Sequence, residues 1–350
     1  MSLESAFRPN PNQIFWPTQR TLIHRLRFLL PDLNWKSVNI DTQPLVSNAS
    51  FVNFVQHHRI TDSTTGESVD IVEKSVRKIL FITSLEARFH REGNILGESK
   101  YFRHPRCFGV IDTPLESFIY TQFVCGRSPY MHAIASEVGR GIAEIENLSS
   151  AYLTDKDTKK IKYWVMDFFH PWYLLRPRFR YNRFFNNLSR LAAVDSRFEG
   201  YEQKIRSFGP ELLDCANAAK PSQKAFCHMD YLRKNLFVSS RGLELIDWSE
   251  AKIGRIGFDG GSYLSALFRR NDMDIFLKAR EEFIRAYIDT LSPKLDKLVA
   301  IQNMRYIFIL GSLWYCMRSE TISEHQENFR MGLLWEKLDF LCSLQSTTYP

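Results

Sequence analysis

Hydrophobic and polar residues follow two different patterns along the chain. Thr18–Leu30 carries apolar residues at a helical spacing, and Pro31 is expected to end that helix. Leu45–Ile60 and Ser68–Val76 then read as strands rich in β-branched and aromatic residues, on either side of the turn cluster Asp62–Glu67. This first part of the chain is therefore predicted to hold a helix followed by an antiparallel hairpin.

The hairpin is followed by a predicted helix and two more predicted strands. Thr83–Gly97 has a rough apolar stripe typical of a helix. Cys107–Ile111 and Ser117–Val124 resemble strands separated by a turn around Pro114. Gly126–Pro129 interrupts the pattern, and we place the boundary between two lobes there.

Beyond this boundary the pattern is mainly helical, with a few short apolar strands. The predicted fold class is α+β, with a small antiparallel β-rich lobe in residues 1–125 and a larger, mainly helical lobe in residues 126–350. The helices are predicted at Met131–Leu148, Phe276–Asp289, Leu295–Met317 and Phe329–Leu344, and the strands at Ala225–His228, Leu236–Val238 and Leu243–Ile246.

The composition agrees with two hydrophobic cores, and the net charge indicates which charge a partner would carry. The chain has 350 residues, of which 44% are hydrophobic, which is enough for more than one packed unit. Its 46 basic and 39 acidic residues give a net charge of +7, which favours anionic partners such as ATP. A phosphorylated substrate, an acidic lipid or nucleic acid would suit the same charge, so the excess decides little by itself.

Cysteine spacing and hydropathy argue against several other classes. No two of the six cysteines form a CxxC pair, so we expect neither a zinc site nor a redox motif, and we expect buried thiols in a reducing compartment. Met1–Gln13 is polar and unlike a secretory signal. The longest apolar run, Ile307–Met317, is too short to cross a bilayer. The expectation is a soluble, cytoplasmic protein.

The most informative segment is Phe226–Phe237, followed closely by Leu243–Trp248. Together they read apolar–His–x–Asp–x4–Asn–apolar, then a polar turn, then apolar–apolar–Asp–Trp. Phosphoryl transfer needs Mg²⁺ on the phosphates and a carboxylate beside the acceptor hydroxyl. Asn235 and Asp247 offer the oxygen ligands that Mg²⁺ prefers, and Asp230 is the candidate base.

This segment resembles the catalytic loop and magnesium motif of the aminoglycoside phosphotransferase and choline kinase superfamily, whose members are relatives of protein kinases. Their loop usually reads His–Gly–Asp–x4–Asn, with Ile–Asp–Trp or Ile–Asp–Phe soon after, and here Met229 replaces the glycine. The resemblance implies a bilobal protein-kinase-like fold, ATP and Mg²⁺ as cofactors, and a small hydroxyl compound as acceptor. The acceptor itself, whether aminoglycoside-, choline- or sugar-like, stays open.

The resemblance also implies roles for residues outside the loop. Lys74 would bind the ATP phosphates, and Glu86 would hold that lysine, with Glu92 on the same predicted helix as the alternative. Asp259 and His228 would support the catalytic loop rather than carry protons. The remaining nucleotide contacts would be Phe123 and Val124 at the adenine, and Ser47, Asn48 and Ser50 at the phosphates.

A second notable segment, Trp172–Phe185, places Arg176, Arg178, Arg180 and Arg183 among aromatic residues. It could bind an anionic acceptor or a membrane surface, or stack on nucleic acid. The interpretation we favour is an amphipathic segment whose aromatics pack inward, and no nucleic-acid partner is expected. The oligomeric state is not indicated.

Two other functions compete with a small-molecule kinase. A nucleotide-binding pseudokinase that acts as a scaffold is favoured by Met229 and by a phosphate loop without glycine, whereas the intact set of Asp230, Asn235 and Asp247 opposes it. A kinase acting on proteins ranks last, because the Asp–Phe–Gly and Ala–Pro–Glu signatures of that class are missing.

Overall fold

The computed structural model describes residues 21–31, 33–45, 51–78, 84–92, 99–154, 167–170, 186–193, 195–328, 330–345 and 349–350. Two predicted features lie outside these residues. They are the phosphate contacts Ser47, Asn48 and Ser50, and the arginine-rich segment Trp172–Phe185.

Contacts along the chain define two compact units. The first comprises Met1–Gly97, Phe102–Arg127 and Phe237–Glu250, and the second comprises the rest. The first unit thus includes the segment around Asp247, which the sequence prediction assigned to the helical lobe. The strands are β1 (Val38–Leu45), β2 (Val52–Asp62), β3 (Ser68–Arg77), β4 (Phe102–Arg103), β5 (Cys107–Asp112), β6 (Glu116–Gln122), β7 (Lys224–Cys227), β8 (Leu236–Ser239), β9 (Gly242–Leu245) and β10 (Lys252–Arg255).

A five-stranded antiparallel sheet in the order β1-β2-β3-β6-β5 forms the centre of the first unit. The predicted hairpin is β2–β3, and Gly66 in its connection has a φ of 72°, a conformation that glycine adopts without strain. Helix α1 (Leu22–Leu29) buries Leu26 and Leu29 in the core of this sheet. Removing these side chains from water supplies most of the driving force for this packing.

A buried polar network also attaches α1 to the sheet. The Glu73 carboxylate on β3 accepts hydrogen bonds from Arg25 of α1 and from the Tyr120 hydroxyl on β6, and it contacts His58 Nε2 on β2 at 2.9 Å. All four side chains are buried. Because a buried charge without partners is costly, this network requires one specific position of α1.

Helix α2 (Leu85–Glu92) and a small sheet in the order β4-β9-β8 complete the first unit. Strand β4 pairs with β9 in parallel, with Phe102 opposite Leu243. A pairing between residues so far apart in sequence leaves no local signal, which is why the sequence pattern did not reveal it.

The second unit is mainly helical. Strands β7 and β10 pair antiparallel beside α3, and residues 186–193 form a further helical segment. Its labelled helices are α3 (Ala135–Thr154), α4 (Tyr201–Ala219), α5 (Phe258–Arg270), α6 (Met273–Thr290), α7 (Lys297–Cys316), α8 (Ser319–Glu327) and α9 (Met331–Ser343).

The predicted α+β class is confirmed, with antiparallel strands in the N-terminal part and helices in the C-terminal part. The pattern missed β1, β10, α4, α5 and α8. The expectation of buried cysteines was wrong for Cys125, which is exposed, and only Cys227 and Cys316 are fully buried. Among the described helices, none has the length and hydropathy needed to cross a bilayer.

Candidate active site

A buried cation between two carboxylates marks the first unit. Lys74 Nζ on β3 lies 2.6 Å from Glu86 Oε2 on α2 and 3.0 Å from Asp247 Oδ1, which follows β9. These three residues are distant in sequence, and the structure brings together three that the resemblance had selected. The glutamate paired with Lys74 is Glu86; the Glu92 side chain lies outside the described residues.

Electrostatics keep this lysine charged. Burial lowers the pKa of Lys74, but the negative charges of Glu86 and Asp247 outweigh it and raise the pKa above its usual value. The side chains of Lys74, Glu86 and Asp247 are 15%, 7% and 21% exposed, so the attraction is only partly screened by water. A permanently charged lysine of this kind suits the binding of phosphate groups.

Asp247 is positioned by its backbone and by its neighbour. Its φ is 65°, in the left-handed region that non-glycine residues rarely occupy. The adjacent Trp248 is buried and stacks on Phe89 of α2, with ring centroids 4.1 Å apart and planes at 10°. The stack therefore attaches the segment carrying Asp247 to the helix that carries Glu86.

The catalytic-loop motif is held by hydrogen bonds within the second unit. Asn235 Nδ2 donates to the backbone oxygen and to Oδ2 of Asp230, both at 2.9 Å. The backbone N–H of Asp230 donates to His228 Nδ1 at 3.2 Å. His228 thus accepts a hydrogen bond from the loop backbone, and Asn235 holds the half-buried Asp230 carboxylate in one direction.

A buried carboxylate on α5 holds the start of this loop. Asp259 accepts the N–H groups of His228 and Met229, each at 2.9 Å, and the Tyr231 hydroxyl at 3.0 Å. Burial raises the pKa of Asp259 to about 6, and these hydrogen bonds act in the opposite direction. The sequence prediction had named Asp259 for this supporting position.

Met229 occupies a left-handed conformation, with a φ of 64°. Glycine adopts this conformation without a steric penalty, which explains the glycine usual in the related motif. Here the conformation is maintained from both sides, because Met229 N–H donates to Asp259 and the Ser262 hydroxyl donates to Met229 O at 2.9 Å. The replacement by methionine therefore preserves the loop geometry.

A second buried carboxylate supports the beginning of α5. Glu146 on α3 accepts the Gly257 N–H at 2.9 and 3.0 Å and the Tyr287 hydroxyl at 2.6 Å. Gly257 has a φ of 86°, and a Cβ there would clash with Ala300 O. Burial raises the pKa of Glu146 to about 8. No short sequence motif marks Glu146, and the sequence prediction missed it.

The predicted adenine-binding segment follows β6. The Phe123 N–H donates to Asp70 O at 3.0 Å, and one face of its half-buried ring stacks on His57, with ring centroids 4.1 Å apart. Within the described residues, the peptide groups of Val124 and Cys125 make no backbone hydrogen bond. Adenine binding by this segment stays a prediction.

Comparisons with known proteins agree with this geometry. Residues 130–298 match the model of the phosphotransferase enzyme family. No curated protein sequence matches the chain.

Solved structures share the fold over most of the chain. A choline kinase from Cryptosporidium parvum Iowa II has a TM-score of 0.54 at 12% identity, covering 91% of this chain and 95% of its own. An ethanolamine kinase from Plasmodium vivax has a TM-score of 0.52 at 12% identity, covering 94% and 91%. The amicoumacin kinase hAmiN, in complex with AMP-PNP, Ca²⁺ and Ami, has a TM-score of 0.54 at 10% identity, covering 88% and 90%.

Fold and family match together define the class. The fold is that of the protein-kinase-like enzymes, and the predicted ATP-dependent phosphotransferase is confirmed. Within that class, the predicted resemblance to the aminoglycoside phosphotransferase and choline kinase superfamily is confirmed as well. The roles of individual site residues stay predictions.

Proposed function

We propose that this chain transfers the γ-phosphoryl group of ATP to a hydroxyl group of a small acceptor, with Mg²⁺ as cofactor. The observation that carries the proposal is the catalytic loop, in which Asn235 fixes the Asp230 carboxylate and Asp259 holds the preceding backbone. A carboxylate oriented in this way is what proton removal from an acceptor hydroxyl requires.

The first unit supplies the groups for the nucleotide. Lys74, kept charged by Glu86 and Asp247, would bind the phosphates, and the peptide groups of Val124 and Cys125 would bind adenine. Because phosphoryl transfer depends mainly on positioning and charge neutralisation, the fixed position of Lys74 matters more than its reactivity.

The residues proposed for the metal fit Mg²⁺ chemically. Asn235 uses both amide hydrogens on Asp230, so its side chain has an oxygen left to offer, and Asp247 provides a carboxylate. Hard oxygen ligands of this kind are those that Mg²⁺ prefers. When bound, Mg²⁺ neutralises the charge of the phosphates during transfer.

In the proposed reaction the acceptor oxygen attacks the γ-phosphorus while Asp230 accepts the hydroxyl proton. The new phosphorus–oxygen bond forms as the bond to the β–γ bridging oxygen breaks, and ADP leaves with its electron pair. A small acceptor agrees with the choline, ethanolamine and amicoumacin kinases that share the fold.

Met229 does not favour the pseudokinase alternative. Its φ of 64° reproduces the conformation that glycine would provide, and Asp259 and Ser262 maintain it. Since the loop keeps its hydrogen bonds, the substitution gives no reason to expect loss of catalysis.

The proposal is tested by measuring ATP consumption and product mass against a panel of hydroxylated metabolites. Asp230→Asn should lower kcat by about 10²–10⁴-fold, the usual contribution of a positioned base, and should leave ATP affinity nearly unchanged. Asp289→Asn, an exposed carboxylate on α6, is the matched control and should behave like the parent. Equal turnover by the parent and Asp230→Asn would refute the assignment of the base.

A further inference from the structure

A basic cavity lies within the second unit, and none of the residues assigned to the candidate active site lines it. It has a volume of about 180 Å³ and is enclosed by the end of α5, the end of α7, α8 and the start of α9. This is more than ten times the roughly 10–15 Å³ that one bound water needs. Its charged walls carry the cations Arg269, Arg270, Arg330 and Lys337 against the carboxylates Asp272 and Glu324.

Lys337 is the most unusual of these cations. Its side chain is 1% exposed, and burial lowers its pKa. One of its three N–H groups donates to Arg269 O at 3.3 Å, at the end of α5, and its ammonium lies 5.4 Å from the ring of Phe268. No carboxylate of the described residues forms an ion pair with it. The hydrogen bond to Arg269 O caps α5. The nearby Asp272 carboxylate opposes the effect of burial without forming an ion pair with Lys337, so the buried charge is only partly balanced.

Arg269 is in the same situation. Its guanidinium lies over the Tyr315 ring, 4.6 Å from the centroid, and donates no hydrogen bond to any described residue. Burial lowers its pKa, and nearby Arg270 and Arg318 act in the same direction. The other two half-buried arginines described in this unit have a carbonyl or carboxylate partner, Arg280 with Pro350 O at 3.0 Å and Arg318 with Glu320 at 3.4 Å. An anion in the cavity would supply the missing negative charge to both Arg269 and Lys337.

The cavity is also electrostatically linked to the catalytic loop. The negative charge of Asp230 raises the pKa of Arg269, opposing the larger effect of burial. In addition, Arg269 lies near the end of α5, and Asp259, which holds the backbone before Asp230, lies in the first turn of the same helix. Arg269 thus lines the cavity and also interacts electrostatically with the proposed base.

We infer that this cavity, through Arg269 and Lys337, binds an oxyanion group, phosphate or carboxylate, of the hydroxyl acceptor. That the anion belongs to the acceptor rests on the proposed function, whereas the existence of an anion site follows from the residues of the cavity alone. It also distinguishes this chain from a kinase of cationic acceptors, because the buried Lys337 and the half-buried Arg269, neither ion-paired with a carboxylate of the described residues, would repel an ammonium group.

Anion binding is tested first without ATP, by calorimetric titration of the full chain with inorganic phosphate at low salt. The parent should bind phosphate, whereas Lys337→Met and Arg269→Gln should lose that binding. Arg280→Gln is the matched control, because Arg280 is a half-buried arginine of the same unit that does not line the cavity, and it should bind like the parent.

Should Lys337→Met or Arg269→Gln fail to fold, Arg270→Gln and Arg330→Gln keep the test decisive, since both arginines are exposed. Each should weaken phosphate binding, more strongly at low than at high salt. Phosphate affinity unchanged in all four cavity variants, or lost equally in Arg280→Gln, would overturn the inference.

Acceptor assays then show whether the bound group is a phosphate or a carboxylate, and they test the proposed function separately from the anion site. Hydroxylated phosphate esters, hydroxy acids and choline are compared as acceptors. One of the two anionic classes should be phosphorylated in preference to choline, and Arg269→Gln should raise the KM for that acceptor by roughly 10–100-fold while sparing the KM for ATP. Phosphate binding without transfer to any compound would refute the proposed function and leave the anion site. Transfer to choline, unaffected by the cavity variants, would refute the anion inference and leave the function.

Discussion

The indole of Trp248 stacks face to face on the ring of Phe89, with centroids 4.1 Å apart and planes at 10°. Both rings lie close in sequence to a carboxylate that contacts Lys74. Asp247 directly precedes Trp248, and Glu86 lies one helical turn before Phe89. The stack is therefore the apolar support beneath the charged cluster. An aromatic pair at this position can determine how closely the two carboxylates approach the lysine.

Phe89→Leu should weaken both stability and catalysis. The aromatic pair contributes about 0.5–1.5 kcal/mol beyond its buried area, so the free energy of unfolding should fall by at least that amount. Small displacements at a reacting centre can cost up to about 10²-fold in rate, so kcat should fall while the KM for the acceptor changes little. Urea unfolding and steady-state kinetics measure the two effects.

Phe276→Leu provides the comparison. Phe276 stacks on Phe308 in the helical unit, with planes at 15°, and lies outside every group assigned to catalysis. Its loss should lower stability and leave kcat per folded molecule unchanged. If the two variants lose kcat to the same degree, the Phe89–Trp248 stack has no specific role.

Lys74→Met should destabilise the fold and raise the KM for ATP. Without the lysine, Glu86 and Asp247 become two poorly solvated carboxylates with no cation between them, and breaking a buried pair typically costs about 3–5 kcal/mol. Adding Glu86→Gln should restore part of the stability, because it removes one of the two charges, but should not restore ATP binding. Recovery of both properties would show that Lys74 acts only structurally.

The candidate catalytic loop was recognisable in the sequence because its polar residues lie close together along the chain. His228, Asp230 and Asn235 lie within eight residues of each other, and their spacing carries the signal. Lys74 and Glu86 were found only through the resemblance, since a strand lysine and a helix glutamate are common. Phe89 and Ser262 carry no signal of their own, because only the folded chain shows that they touch Trp248 and Met229.

The missed elements have physical explanations as well. Strand β1 alternates only over Val38–Asp41, and its next residues are exposed and include Pro44, as is usual for the edge of a sheet. Helix α5 begins with Phe258–Asp259–Gly260–Gly261, a composition that disfavours helices. The glycines are needed because a Cβ at Gly261 would clash with Met304 O on α7. Close packing thus overrides the local preference.

Asp247→Asn should raise the Mg²⁺ concentration required for half-maximal activity. The substitution keeps an oxygen at this position but removes its negative charge, which weakens the binding of a hard divalent cation. Titration of ATP consumption with MgCl₂ measures the effect. Glu250→Gln, an exposed carboxylate three residues later, is the control and should leave the Mg²⁺ requirement unchanged. The same requirement in Asp247→Asn as in the parent would exclude Asp247 as a ligand.

Glu146→Gln should change how stability depends on pH. The native pKa of Glu146 is about 8, against 4.5 for an ordinary glutamate, so the native state holds a proton that the unfolded state has released. Stability of the parent should therefore fall as pH rises from about 4.5 to about 8. The variant cannot titrate at this position, and its unfolding free energy should be flatter above about pH 6.

Asp259 makes the comparison more specific. Its native pKa is about 6, against an ordinary 3.8. Asp259 therefore also lowers the unfolding free energy as pH rises, but this effect ends near pH 6 and should persist in Glu146→Gln. Urea unfolding at half-unit pH steps resolves the two ranges. Glu281→Gln on the exposed face of α6 should reproduce the parent curve. An unchanged slope between pH 6 and 8 in Glu146→Gln would show that Glu146 is ionised in the native state.

Met229→Gly should stabilise the protein. A non-glycine residue pays about 1–2 kcal/mol in the left-handed region, whereas glycine loses about 0.5–1 kcal/mol more backbone entropy on folding, so the net gain should be about 0.5–1 kcal/mol. Met229→Ala is the matched control, because it shortens the side chain but keeps the Cβ that causes the penalty. In urea unfolding, the unfolding free energy of Met229→Gly should exceed that of the parent, and that of Met229→Ala should not.

The kinetics of the same variant decide whether this strain serves catalysis. Met229 N–H is held by Asp259 and its carbonyl by Ser262, and a glycine can keep both hydrogen bonds. If the strain is only tolerated, Met229→Gly should keep the kcat of the parent while gaining stability. If kcat falls as stability rises, the methionine holds Asp230 in a conformation that a relaxed loop leaves, and the strain belongs to the mechanism. Because alanine retains the Cβ, Met229→Ala should then keep the parent kcat, which separates backbone strain from the contacts of the methionine side chain.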